Sequence, residues 1–183
     1  MIRDLRLIFL FTACALTATC GDPFEPILTP IPDARETTLI DFEGGDLVDP
    51  AAYDMFTGNA VRTDQTNAWD FVFRVDADLG PVLVPRSDVL DEESSAGLQV
   101  ADQAFDTLDE APDDGYTTDA PVPVSEGMVF TVISRRSPQT SIRCRLFGKI
   151  EIQSISGTPV QLTVNAVVNP NCERRELVDD TSN

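Results

Sequence analysis

The sequence predicts an all-β domain, mostly antiparallel, with one or two short helices. Three observations carry this. Trp69 to Val75 (WDFVFRV) alternates apolar and polar positions in the manner of a half-buried strand. The last third holds three consecutive strand-like runs rich in β-branched residues. Thirteen prolines and ten glycines punctuate the chain, and few stretches show a long helical period.

Taken in order, residues 1–19 read as an export signal. Arg3 and Arg6 form a positive start, Leu7 to Leu16 an apolar run, and Thr17, Ala18 and Thr19 a small-residue approach to Cys20. The pattern predicts a lipoprotein signal peptide, with Cys20 as the lipidation site and palmitate-type acyl chains as a membrane anchor. Leu16 stands four residues before Cys20 rather than three, so Cys14 is a rival acceptor, and plain secretory cleavage near Ala18 is the alternative. The apolar run is too short and interrupted to span a bilayer. Residues 20–36 contain four prolines and read as a tether between lipid and domain.

The β-rich domain is expected over 37–177. Thr37 to Phe42 is its first strand. Ala52 to Val61 is a hairpin turning at Thr57, Gly58 and Asn59. Trp69 to Val75 places Trp69, Phe71 and Phe73 on one face, expected to be core. Residues 76–96 read as loop, with a short helix near 86–93. Ala101 to Glu110 suggests one or two helical turns with Phe105 and Leu108 inward. Residues 111–127 form a long proline-rich loop. Met128 to Ser134, Arg145 to Ile155 and Pro159 to Val168 are successive strands, the last two joined at Ser156, Gly157 and Thr158. A tail follows, and residues 178–183 are expected to be disordered.

Charge narrows the range of partners. The chain carries −18, and residues 22–133 hold 25 acids against four bases. Nucleic acid and anionic lipid surfaces are poor partners for such a chain. Residues 134–183 reverse the balance, with Arg135, Arg136, Arg143, Arg145, Lys149, Arg174 and Arg175 against five acids. These bases either neutralise neighbouring acidic loops or form an anion patch.

Chemistry is sparse. There is no histidine, which removes the commonest general base and metal ligand. No GxSxG motif or phosphate loop occurs, so the chain is expected not to be an enzyme. Carboxylates at Asp91, Glu92, Glu93, Asp113 and Asp114 show no spacing that marks a catalytic pair. Asp76, Asp78 and Gly80 begin like a calcium loop, but the twelfth position is Ser87 and not glutamate. A looser oxygen site drawn from Asp41, Glu43, Asp46, Asp49 or Asp54 stays open; no metal site is assigned. Outside the leader, Cys144 and Cys172 form an even pair in an exported chain and predict a disulfide. Its loop would contribute roughly 3–4 kcal/mol in the chain-entropy model. Met55 and Met128 each lie near a phenylalanine, Phe56 and Phe130, which reads first as core filling.

The run Tyr53, Phe56, Thr57, Gly58, Val61, then Trp69, Asp70, Phe71 and Phe73, followed by MVFTVISRR, CRLFGKIEIQSI and VVNPNCERREL, resembles the HmuY-type haem-binding lipoproteins over about residues 37–177. That resemblance implies an antiparallel one-domain fold able to pinch a flat ligand, and haem held by two axial side chains, histidine or methionine. Without histidine, Met55 and Met128 are the axial candidates, with nearby arginines for the propionates. The sequence therefore predicts a lipid-anchored module of the cell envelope, on the outer membrane or its periplasmic face. It would bind haem or another planar anion. The alternative is a structural or protein-interaction envelope lipoprotein with no small ligand.

Overall fold

A computed structural model describes residues 27–137 and 144–179. The expected signal, Cys20, the start of the tether, Arg143 and residues 180–183 lie outside the described residues. Among the described residues, ten strands form two five-stranded antiparallel sheets. They are β1 (Arg35–Ile40), β2 (Ala52–Asp54), β3 (Asn59–Val61), β4 (Phe71–Asp76), β5 (Gly80–Pro85), β6 (Gly97–Val100), β7 (Val122–Pro123), β8 (Val129–Ile133), β9 (Phe147–Ser156) and β10 (Gln161–Val168). The first sheet runs β1-β10-β9-β8-β6 and the second β3-β2-β4-β5-β7. Among the described residues, helical structure is limited to α1 (Arg86–Leu90) and a 3-10 turn at Phe105–Thr107.

Strand alternation explains the layering. Leu39, Phe71, Phe73, Leu83, Phe130, Ile150 and Leu162 belong to one buried cluster, to which both sheets contribute. Their odd-even neighbours face outward, and each outer face has its own cover. On the first sheet, Val129, Ile133, Phe147 and Val167 are capped by Phe105, Leu108 and Leu177. On the second, Ala52, Val72, Val82 and Val84 are capped by Trp69, with Val89 of α1 packed alongside.

This last cluster corrects the one-face expectation for Trp69, Phe71 and Phe73. All three are buried, but Trp69 precedes the ladder of β4 and packs with Val72 on the opposite face from Phe71 and Phe73. The chain turns between Trp69 and Phe71 because the buried Asp70 ties its backbone N–H to Tyr53 O at 2.8 Å and its C=O to Arg86 N at 3.0 Å.

Residues 76–96 are not simply loop. β5 runs from Gly80 to Pro85, and Val82, Leu83 and Val84 are fully buried. Its prolines stand near the two ends, opposite Val75 and Phe71, while the apolar residues between them hold the ladder. The two-residue β7 is likewise a strand where loop was expected, and β6 falls between the segments expected to be loop and helical turn. The last part of the tether is held rather than free. Thr29 N donates to Asn171 Oδ1 and Asn171 Nδ2 returns a bond to Thr29 O, both at 2.8 Å. Ile31 N donates to Asp179 Oδ1 at 2.8 Å, which also secures residue 179 within the expected loose tail. Cys144 and Cys172 are disulfide-bonded, with Cα atoms 5.1 Å apart.

Candidate functional site: an apolar cleft beside a buried ion triad

The β2–β3 hairpin builds one wall of the site. Asp54 organises its turn: its C=O accepts from Gly58 N at 2.8 Å and its Oδ2 from the Thr57 hydroxyl at 3.0 Å. Gly58 sits at φ +66°, where a side chain would be strained. Tyr53, on the inward face, stacks on Phe71 with centroids 5.2 Å apart. Met55 follows and is buried.

The facing wall comes from the first sheet. Ala166 and Val168 are inward positions near the end of β10, and Leu146 and the Cys144–Cys172 disulfide continue it. Arg35 opens β1 directly opposite Ala166. Together these enclose a cleft of about 460 Å³. That volume lies within the range of small-ligand pockets, and most of the wall is hydrocarbon or sulfur. The polar side chains lining it are Asp33, Arg35, Tyr53, Thr57 and Ser137. Burial pushes the Tyr53 phenol up to about 12, with Asp70 and Asp54 adding to the shift and Arg35 opposing it.

Behind the hairpin lies a buried ion triad. Arg135 Nη1 meets Asp70 Oδ2 at 2.8 Å and its Nη2 meets Asp54 Oδ1 at 2.9 Å. Asp70, fully buried, also accepts from Arg135 N and Met55 N, each at 2.7 Å. The Arg135 guanidinium lies 4.9 Å from the centroid of the Phe56 ring. One cation between two carboxylates leaves the group short of positive charge. Burial pushes the Asp70 carboxyl above its ordinary value, against the opposing pull of Arg135. The triad joins the two sheets, because Asp54 ends β2 and Asp70 directly precedes β4 in the second, and Arg135 follows β8 of the first.

Beyond the triad a wider groove of about 1460 Å³ is lined by Arg86, Arg135 and Arg136 against Asp91, Glu92, Glu93 and Asp119, with several hydroxyls. Phe56, Thr57 and Ser137 border both spaces.

The structure does not bring Met55 and Met128 to one cleft. Met55 lines the apolar cleft; Met128 does not. Met128 is half-buried against the main core just before β8, at the opposite end of that strand from Arg135. The C-terminal bases are mostly spent on acids: Arg145 on Glu173, Arg174 on Glu176, and Arg175 on Glu110. Lys149 is buried on the outer face of the first sheet, where Nζ donates to Phe105 O at 2.7 Å and Leu108 O at 2.9 Å. Burial pushes its pKa down, opposed by Asp109 and Asp106. An anion patch built on these bases therefore has little free charge to offer.

The acidic-loop carboxylates have similar local duties. Asp41 accepts from Val75 N at 3.0 Å, and Asp49 from Asp46 N at 2.9 Å. Among the described residues, no three carboxylate or thiol side chains converge on a point that could hold a metal ion.

Sequence reasoning missed Arg35 as a cleft residue, and missed Asp54, Asp70 and Arg135 as a unit. One signal was available for Asp70, an acid inside an aromatic strand run. Its partner lies 65 positions away, which no local pattern encodes. No protein-family model, curated protein or solved structure matches this chain.

Proposed function

We propose that this chain is a lipid-anchored, non-catalytic binding module of the cell envelope that holds a small, largely apolar ligand in the cleft behind Met55. The cleft carries the reading: it is of ligand size, mainly apolar, and bordered by a few convergent polar groups on a rigid double sheet. The anchoring half of the proposal rests on the sequence pattern at Cys20. Haem, the planar anion suggested by the resemblance to HmuY-type lipoproteins, could meet Met55 as one sulfur ligand, without the paired methionine.

The test uses the full chain and a neutral fluorescent probe, N-phenyl-1-naphthylamine. One saturable site per chain is expected, blocked when the exposed rim residue Pro170 is changed by Pro170→Phe. Absence of saturable binding overturns the reading. A haemin titration run alongside identifies haem as the ligand if a Soret shift appears and Met55→Leu abolishes it. In cells, Cys20→Ser should move the protein from the membrane to the soluble exported fraction; release by Cys14→Ser alone reassigns the anchor.

A second reading, a protein-interaction module, is favoured by the wider groove, whose mixed charges suit a polar partner surface. A cross-linker placed at Ser94, within that groove, should then capture one defined protein partner from intact cells.

A further inference from the structure

We infer that the cleft takes a single-chain amphiphile, with its aliphatic body along Met55, Leu146, Ala166 and Val168 and one carboxylate on Arg35 and the Tyr53 hydroxyl. This rests on the reading of the cleft as a binding site and adds the chemical class of its ligand.

Three observations converge. The first is the character of the walls. Most are aliphatic or sulfur, and the two aromatic rings are already engaged, Tyr53 on Phe71 and Phe56 on Arg135. The cleft thus offers a flexible hydrocarbon chain dispersion contacts along its length, while a flat ring system finds little ring surface to stack on.

The second is Arg35. Alternation along β1 places Leu39 in the core and Arg35 on the same inward face. Arginines 62, 74, 86, 135, 145, 174 and 175 each reach a carboxylate, and Arg136, which makes no ion pair among the described residues, lines the wider groove rather than this cleft. Among the described residues Arg35 has no ion pair, in a chain of 31 acids. An unpaired guanidinium at the edge of an apolar cleft is a ready partner for a carboxylate, which it can hold through two parallel bonds.

The third is the Tyr53 hydroxyl. Tyr53 is buried and lines the cleft, and its hydroxyl has no hydrogen-bond partner among the described residues. Arg35 and Tyr53 both line this cleft, and the charge of Arg35 opposes the upward shift that burial gives the phenol. A hydroxyl that opens on an apolar cleft without a protein partner gains an acceptor when a ligand displaces the water there.

Asp33 also lines the cleft, two residues before Arg35, and is exposed. Its carboxylate repels an anionic head, so it sets the sign of one arm of the test.

The experiment titrates dodecanoate, dodecyltrimethylammonium and the neutral naphthylamine into the full chain carrying Cys20→Ser, purified without detergent. One dodecanoate per chain is expected. Arg35→Ala should weaken dodecanoate about tenfold, as loss of a charge-assisted bond implies, and leave the cationic amphiphile no weaker. Asp33→Asn should tighten dodecanoate. Val168→Phe should weaken both dodecanoate and the naphthylamine; Pro170→Phe, on the exposed rim, makes the same test should the buried variant fail to fold. Equal dodecanoate affinity with and without Arg35, or preference for the cationic amphiphile, overturns the inference. Naphthylamine binding that Pro170→Phe blocks, without dodecanoate binding, also overturns it but leaves the cleft reading standing. If neither probe binds, both fall.

Discussion

Asp70 carries more of this structure than its single carboxylate suggests. It takes three hydrogen bonds and ties the start of β4 to the hairpin that walls the cleft and to the end of β8. Burial raises its folded-state pKa from an ordinary value near 3.8, with Arg135 pulling the other way. The folded chain therefore holds this proton more tightly than the unfolded chain does. Asp70's contribution to stability is fully present below its unfolded value and is lost as pH rises through its folded value. Relative to an Asp70→Asn variant, the parent should lose stability as the pH is raised from about 4. Urea midpoints measured across that range for both proteins check this, and parallel curves would refute it. Such dependence is invisible in the sequence, where Asp70 is one acid among many. The carboxyl is raised by its removal from water, and that removal is a tertiary event.

At the scale of elements, the segment around the Phe105–Thr107 turn depends on Lys149. Phe105 and Leu108 cover the outer face of the first sheet, and the lysine beneath them satisfies both of their carbonyls. Lys149→Met keeps the apolar stem but leaves two carbonyls without a donor. It should cost about 1–3 kcal/mol and speed amide exchange in residues 101–111 before the sheets themselves open. Unchanged exchange there would assign the segment's hold to Phe105 and Leu108 alone. The inward placement of these two residues was legible from their three-residue spacing. The cation was not, since a lysine inside a strand pattern normally faces water. Strands differed in legibility for similar reasons. β8, β9 and β10 announce themselves by length and β-branched content, whereas β5 and β7 hide behind prolines and β6 is four residues long. Short strands become strands by pairing: Val82 and Leu83 sit opposite Pro123 and Val122, across a sequence distance that local pattern does not see.

Across the whole molecule, the disulfide links the segment before β9 to the tail after β10, and both cysteines line the cleft. Cys144→Ala with Cys172→Ala should lower stability by about 2–5 kcal/mol, and on the reading of the cleft as a binding site it should weaken naphthylamine binding more than heat alone explains. Denaturation and probe titration on the same sample separate the two effects; a stability loss with unaltered affinity would make the bridge purely a staple. The all-β class, the antiparallel final strands, the disulfide and the Ala52–Val61 hairpin followed from the sequence. Each depends on alternation, turn chemistry or cysteine parity, which neighbouring residues or composition encode. Tertiary structure alone decided which aromatic residues share a face, the separation of Met55 from Met128, the joining of Asp54 and Asp70 through Arg135, and the place of the exposed Arg35 on the cleft's lining. These depend on which strand ends meet across two sheets and on how far each charge is withdrawn from water, quantities that exist only once distant segments have paired.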